Sequence, residues 1–198
     1  MSKTDPAAAK KERNKTIRWV VTIFFVTILV SGIISLASDA LMSVSGIAVA
    51  FLVLILIILI GILFDIVGVA VTSADEKPFH SMASRKVPGA QNAIKLLRNA
   101  GRVSSICNDV VGDICGVVSG SASATIAAQV LAKNDFSWPQ FITLAMSALV
   151  AGLTVGGKAV GKSFAVNSST KIVSFVGRVL YSLQSVTKVF RPKKKKKK

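Results

Sequence analysis

The chain has 198 residues, of which 52% are hydrophobic and 17% charged, where a soluble domain carries about a quarter charged residues. Its 25 Lys and Arg outnumber 9 acidic residues, giving a net charge of +16. That charge sits in blocks beside long apolar runs, without interleaved aromatics, which argues against nucleic acid as the primary ligand and for membrane orientation and contact with anionic lipids.

Residues 1–18 form a basic tail with Lys3, Lys10, Lys11, Arg13, Lys15 and Arg18. The run Trp19–Leu36, WVVTIFFVTILVSGIISL, is uncharged and close to the roughly 20 residues a spanning helix needs. No A-x-A cleavage site follows, so residues 19–38 are expected as a retained span and not a signal peptide. Gly46–Phe64, GIAVAFLVLILIILIGILF, is the most apolar stretch, and it continues past Asp65 into IVGVAVTSA. Residues 75–102 are polar and basic, broken into short pieces at Pro78 and Pro88-Gly89. Within them, Ala93, Ile94 and Leu97 recur at helical spacing, so 90–98 is expected as a helix at the membrane surface.

A third span is expected from about Val103 to Ala132, rich in Gly, Ser and Ala. Small residues let helices approach closely in lipid, which places this span at the centre of a bundle. The loop KNDFSWP leads to a fourth span, Phe136–Gly157, with Trp138 as an interfacial anchor. Over 166–190, Ile172, Val176, Val179, Leu183, Val186 and Phe190 recur every three or four residues. This pattern predicts an amphipathic helix at the interface. A polylysine tail, 191–198, closes the chain. The expected fold is an all-α integral membrane protein, with four transmembrane helices plus amphipathic juxtamembrane helices.

Lys and Arg number 6 before the first span, none in the first loop, 6 in the middle loop, 1 in the third loop and 12 after Gly157. Rich and poor segments alternate as four spans require, with both termini cytoplasmic, and the plasma membrane is the expected location.

Ionisable groups at membrane depth cost about 2.5–3.5 kcal/mol each on insertion scales and are functional suspects by default. The candidates are Asp65, Asp109, Asp113 and Lys158, the last near the end of the fourth span, with Asn108 as a polar companion. Asp109 and Asp113 are four residues apart and share one helix face. Cys107 and Cys115 lie about 12 Å apart along one helix, too far for a disulfide, and His80 has no ligand-spaced neighbour. No hydrolase or redox constellation is present, so no enzymatic activity is expected. Residues 156–163, GGKAVGKS, meet the spacing G-x-x-x-x-G-K-S, but a phosphate-cradling loop follows a buried strand and this follows an uncharged span.

From Phe64 to Tyr181 the chain resembles the transmembrane domain of the CNNM/CorC (CorB) family. Phe64, Ala70, Val71, Ser73 and Asp75 resemble its first block, F-S-G-S-E-x-A-L-x-S-x-N. GAQNAIKLL (89–97) and Arg102-Val103 resemble the basic loop after it, and Asn108-Asp109 its Asn-Asn pair. Gly157–Lys162 is similar to its G-E-I-x-P-K ending, and 166–190 to its basic juxtamembrane helix. The resemblance implies a CNNM/CorC-like domain over 44–165 with an added span in front, transport or regulation of Mg2+, and a homodimer, which the Gly/Ser/Ala face of 116–128 also favours. This chain departs from the pattern where Asp65-Ile66-Val67-Gly68 replace Ser-Gly-Ser-Glu, where Lys158 stands in place of the family Glu, and where Gly161 stands in place of its Pro. The family's regulatory CBS pair is missing as well. Two functions follow. In one, Asp65, Asn108, Asp109 and Asp113 form an acidic site for a divalent cation such as Mg2+. In the other, the site is inactive, Lys158 pairs with a buried aspartate, and the protein is a membrane scaffold. Its basic ends, Lys193, Lys194, Lys195, Lys196, Lys197 and Lys198 among them, then contact anionic lipids or an acidic partner.

Overall fold

The computed structural model describes residues 6–44, 46–133 and 138–189. The expectations at Phe136, Phe190 and Lys193–Lys198 lie outside the described residues. In hydrocarbon no water satisfies the backbone, so an apolar run must close its own hydrogen bonds as a helix, even one as rich in β-branched residues as 47–73. The elements are α1 (Pro6–Val44), α2 (Ile47–Ser73), α3 (Lys77–Ser84), α4 (Ala90–Arg98), α5 (Ala100–Ser104), a π-helical segment (Ser105–Gly112), α6 (Asp113–Lys133), α7 (Pro139–Asn167) and α8 (Ser169–Val189). Among the described residues four stretches are long and apolar enough to cross a membrane: Thr16–Leu41, Ile47–Ser73, Ala100–Lys133 and Pro139–Asn167. The chain is an all-α, multi-pass membrane protein.

Several boundaries differ from those expected. The first span is a segment of a longer helix that runs on at both ends. The fourth does not stop at Gly157 but continues ten residues to Asn167, which carries Lys158 and Lys162 inside a helix. The middle loop holds α3 as well as α4. Pro78 does not break that segment but occupies the first turn of α3, where a missing N–H costs nothing.

Contacts divide the chain into two units. One combines the residues up to Ile58 with Ile114–Ala151. In it α6 buries Val118, Ser119, Ala122, Ser123, Ile126 and Ala127, a helical stripe of mostly small side chains. The Ser119 and Ser123 hydroxyls donate to the Gly116 and Gly120 carbonyls at 2.9 and 3.0 Å, so burial leaves neither donor unmet. The third span is the most buried of the four and the first the least. Val20, Phe24, Leu29 and Leu36 of α1 are exposed, which in a bilayer means solvation by lipid.

The second unit combines Leu59–Asp113 with the residues from Gly152 onward. Its core gathers Ala70 and Val71 from α2, Phe79 from α3, Ala93, Ile94 and Leu97 from α4, Ala165 from α7 and Val173 from α8. The helix expected at 90–98 forms, and its apolar face packs into this protein core. Its partner is α8, approached through glycine. A Cβ at Gly177 would sit 2.7 Å from the Gly89 carbonyl oxygen, and one at Gly89 2.6 Å from the Arg178 backbone nitrogen. That near backbone-to-backbone contact decides which face of α8 packs. Ser169, Val173 and Gly177 are buried, whereas Val179 and Leu183 of the expected stripe are 42% and 58% exposed.

Candidate functional site

Asp65 is the only buried carboxylate among the described residues, 2% exposed, on the α2 half that belongs to the second unit. Two glycines of α7 create its surroundings. Gly157 and Gly161, four residues apart, lie against the side chains of Ile62 and Ile66, where a Cβ on Gly161 would come within 2.9 Å of Ile66 Cγ1. This small-xxx-small seam brings α7 against α2, and Lys158 and Lys162, each next in sequence to one of the glycines, reach the same carboxylate. The Lys158 ammonium lies 3.7 Å from Asp65 Oδ1, and the Lys162 ammonium 3.6 Å from Asp65 Oδ2. Lys158 also lies 3.8 Å from Asp113 Oδ1 and donates to the Gly112 carbonyl at 3.0 Å. The ion contacts are longer than hydrogen bonds, so the carbonyl holds the ammonium and the carboxylates balance its charge.

The wall opposite α7 is the π-helical segment. Such segments are rare and recur at functional sites. Here the stretch ends at Gly112, whose missing side chain is what admits Asp65: a Cβ there would collide with Asp65 Oδ1 and stand 3.4 Å from the Lys158 ammonium. The same device recurs at Gly68, whose Cα abuts the Asn108 amide. Asn108 donates to Ser104 Oγ at 3.1 Å. Its buried Oδ1 has no hydrogen-bond partner among the described residues, leaving the Gly68 Cα–H, a weak donor, as its neighbour.

The candidate residues are thus only partly brought together. Asp65, Asp113 and Lys158 meet. Asp109 is exposed and has no ion-pair partner among the described residues, and Asn108 faces Gly68. Among the described residues no group of three or more His, Cys, Asp or Glu is placed to hold a metal ion. Mg2+ wants near-octahedral oxygen at about 2.0–2.1 Å. The oxygens here surround ammonium groups, so the residues do not fit a Mg2+ site in this state. Lys162, with a half-exposed side chain, is the participant that sequence reasoning missed.

The remaining candidates are peripheral. No disulfide joins Cys107 and Cys115. His80 lies on α3, exposed, with Nε2 at 3.4 Å from Glu76 Oε2, and Arg98 contacts the same carboxylate. Residues 156–163 are helical throughout, so their glycines and lysines are a packing seam with charged neighbours and not a phosphate loop. Comparison with protein-family models, with curated proteins and with solved structures finds no match.

Proposed function

We propose that the chain is a CNNM/CorC-type membrane protein whose cation position is filled by its own Lys158 ammonium, a non-transporting relative that works as a membrane scaffold. The observation that carries this reading is the set of oxygens around Lys158: Asp65 Oδ1, Asp113 Oδ1 and the Gly112 carbonyl, all within 3.8 Å. A tethered ammonium supplies the charge that a bound cation would supply, and does so permanently. Lys162 adds a second positive charge to Asp65, so the two lysines and two aspartates are formally neutral together. The alternation of Lys/Arg-rich segments supports a plasma-membrane location with both basic ends cytoplasmic, where the tails meet anionic lipid. The exposed small residues of α6, Gly120, Ala124 and Ala128, support self-association as a homodimer.

Thermal unfolding of the purified chain with and without millimolar Mg2+ tests the reading. The wild type shows no Mg2+-dependent shift. Lys158→Met melts lower and regains stability with Mg2+, because removing one member of a buried pair leaves an uncompensated charge, and a ligand that binds only the folded state restores it. A Mg2+ shift in the wild type that disappears in Asp65→Asn defeats the proposal and reinstates transport.

A further inference from the structure

We propose that the cleft between the α3–α4 turn and α8 holds the phosphodiester headgroup of an anionic phospholipid. The cleft measures about 260 Å³ and is lined by Lys86, Pro88, Gly89, Gln91, Asn92 and Tyr181, among others. That volume suits a headgroup and is small for a whole drug-sized ligand. Its polar lining offers an ammonium, two carboxamides and a phenol, and it contains no carboxylate. Lys86 has no ion-pair partner among the described residues. The Arg178 backbone lies against Gly89. An ammonium lining a site without an acid selects an anion, and a headgroup carrying its own quaternary ammonium is disfavoured.

The backbone at Lys86 is a second observation. Lys86 has φ 56°, and Val87 donates to the Met82 carbonyl across it at 3.0 Å. This is the helix-ending position where glycine is preferred. Holding a lysine there stores strain, which persists at sites where the side chain is wanted. Two residues of the α4 first turn, Gln91 and Asn92, line the cleft, and α4 has no side-chain N-cap.

Location separates lipid from soluble phosphate. The α3–α4 segment joins the second and third spans, and α8 follows the fourth, so both emerge at one membrane face, where phospholipid headgroups are concentrated.

The test reconstitutes the full chain in phosphatidylcholine discs containing a minority of phosphatidylglycerol, releases it into detergent, and counts retained phospholipid by native mass spectrometry. The wild type retains phosphatidylglycerol in preference to phosphatidylcholine. Lys86→Gly removes the ammonium and relieves the backbone, so it melts no lower than wild type yet retains about ten-fold less phosphatidylglycerol. Tyr181→Phe weakens retention, and Lys95→Gln, an equal charge change on the exposed side of α4, leaves it unchanged. Equal retention in Lys86→Gly and wild type overturns the proposal, as does equal loss in Lys95→Gln. Release of the lipid by millimolar inorganic phosphate assigns the cleft to free phosphate and overturns the lipid assignment.

Discussion

Replacing Gly112 by alanine adds one methyl group at the point where the π-helical segment meets the Asp65 carboxylate. The new Cβ would overlap Asp65 Oδ1 and crowd the Cys107 carbonyl at 3.3 Å. Asp65 is 2% exposed and held from its other side by Lys162, so it has no solvent to turn into. Either the helices part or the carboxylate leaves Lys158. Overpacking costs about 1–3 kcal/mol, and full loss of a buried ion partner about 3–5 kcal/mol. Lys162 retains Oδ2, so the expected cost is about 2–4 kcal/mol, which for a chain of this length lowers Tm by roughly 5–15 °C. Gly116→Ala, one helical turn on, meets nothing within 4 Å and gains helix propensity of up to about 1 kcal/mol. Thermal unfolding in mild detergent compares the two. In an Asp65→Ala background the added methyl finds room, so the Gly112→Ala penalty shrinks and the double-mutant cycle shows coupling. Equal melting of the two glycine variants, or additivity with Asp65→Ala, refutes the reasoning.

Lys162→Met, at a half-exposed side chain, costs under about 1 kcal/mol, far less than Lys158→Met, and the two melts compared side by side check it. Gly89→Ala places a side chain at φ 86° against the Arg178 backbone and costs at least about 1–2 kcal/mol, read as a lower denaturation midpoint. Phe79→Ala empties the core of the second unit for about 3–5 kcal/mol, and hydrogen exchange accelerates in α3 and α4. Reporters fused after Gln91 and after Lys198 give the same sidedness, because two spans separate them; opposite signals refute the four-span topology.

Span number was legible because two independent patterns, apolar run length and Lys/Arg alternation, agree. Asp65 stood out because apolar residues flank it on both sides. Lys162 did not, because only Lys158 falls on the Glu position of the resembled pattern, and a lysine past the expected span end at Gly157 simply reaches for water. The continuation to Asn167 is driven by packing: Gly161 and Ala165 are buried, and single-sequence hydropathy cannot see that. The π-helical register was illegible for a similar reason. Ser105–Gly112 is poor in strong helix formers, which permits a departure from α geometry, but tertiary contact selects it. On α8 the large apolar residues misled, because the glycine contact with α4 outweighs their stripe.

The α4–α8 pairing also sets a timetable for synthesis. Ala93, Ile94 and Leu97 emerge from the ribosome roughly 80 residues before Val173 and Gly177, their cover. At about 5–20 residues per second the delay is on the order of ten seconds, during which two further spans must enter the bilayer. Until then the α4 part of the second unit's core has no cover from α8, and a stall in inserting the fourth span leaves it so. The nascent chain therefore passes through an interval when chaperones and membrane proteases can distinguish a finished molecule from an unfinished one by whether α4 is covered.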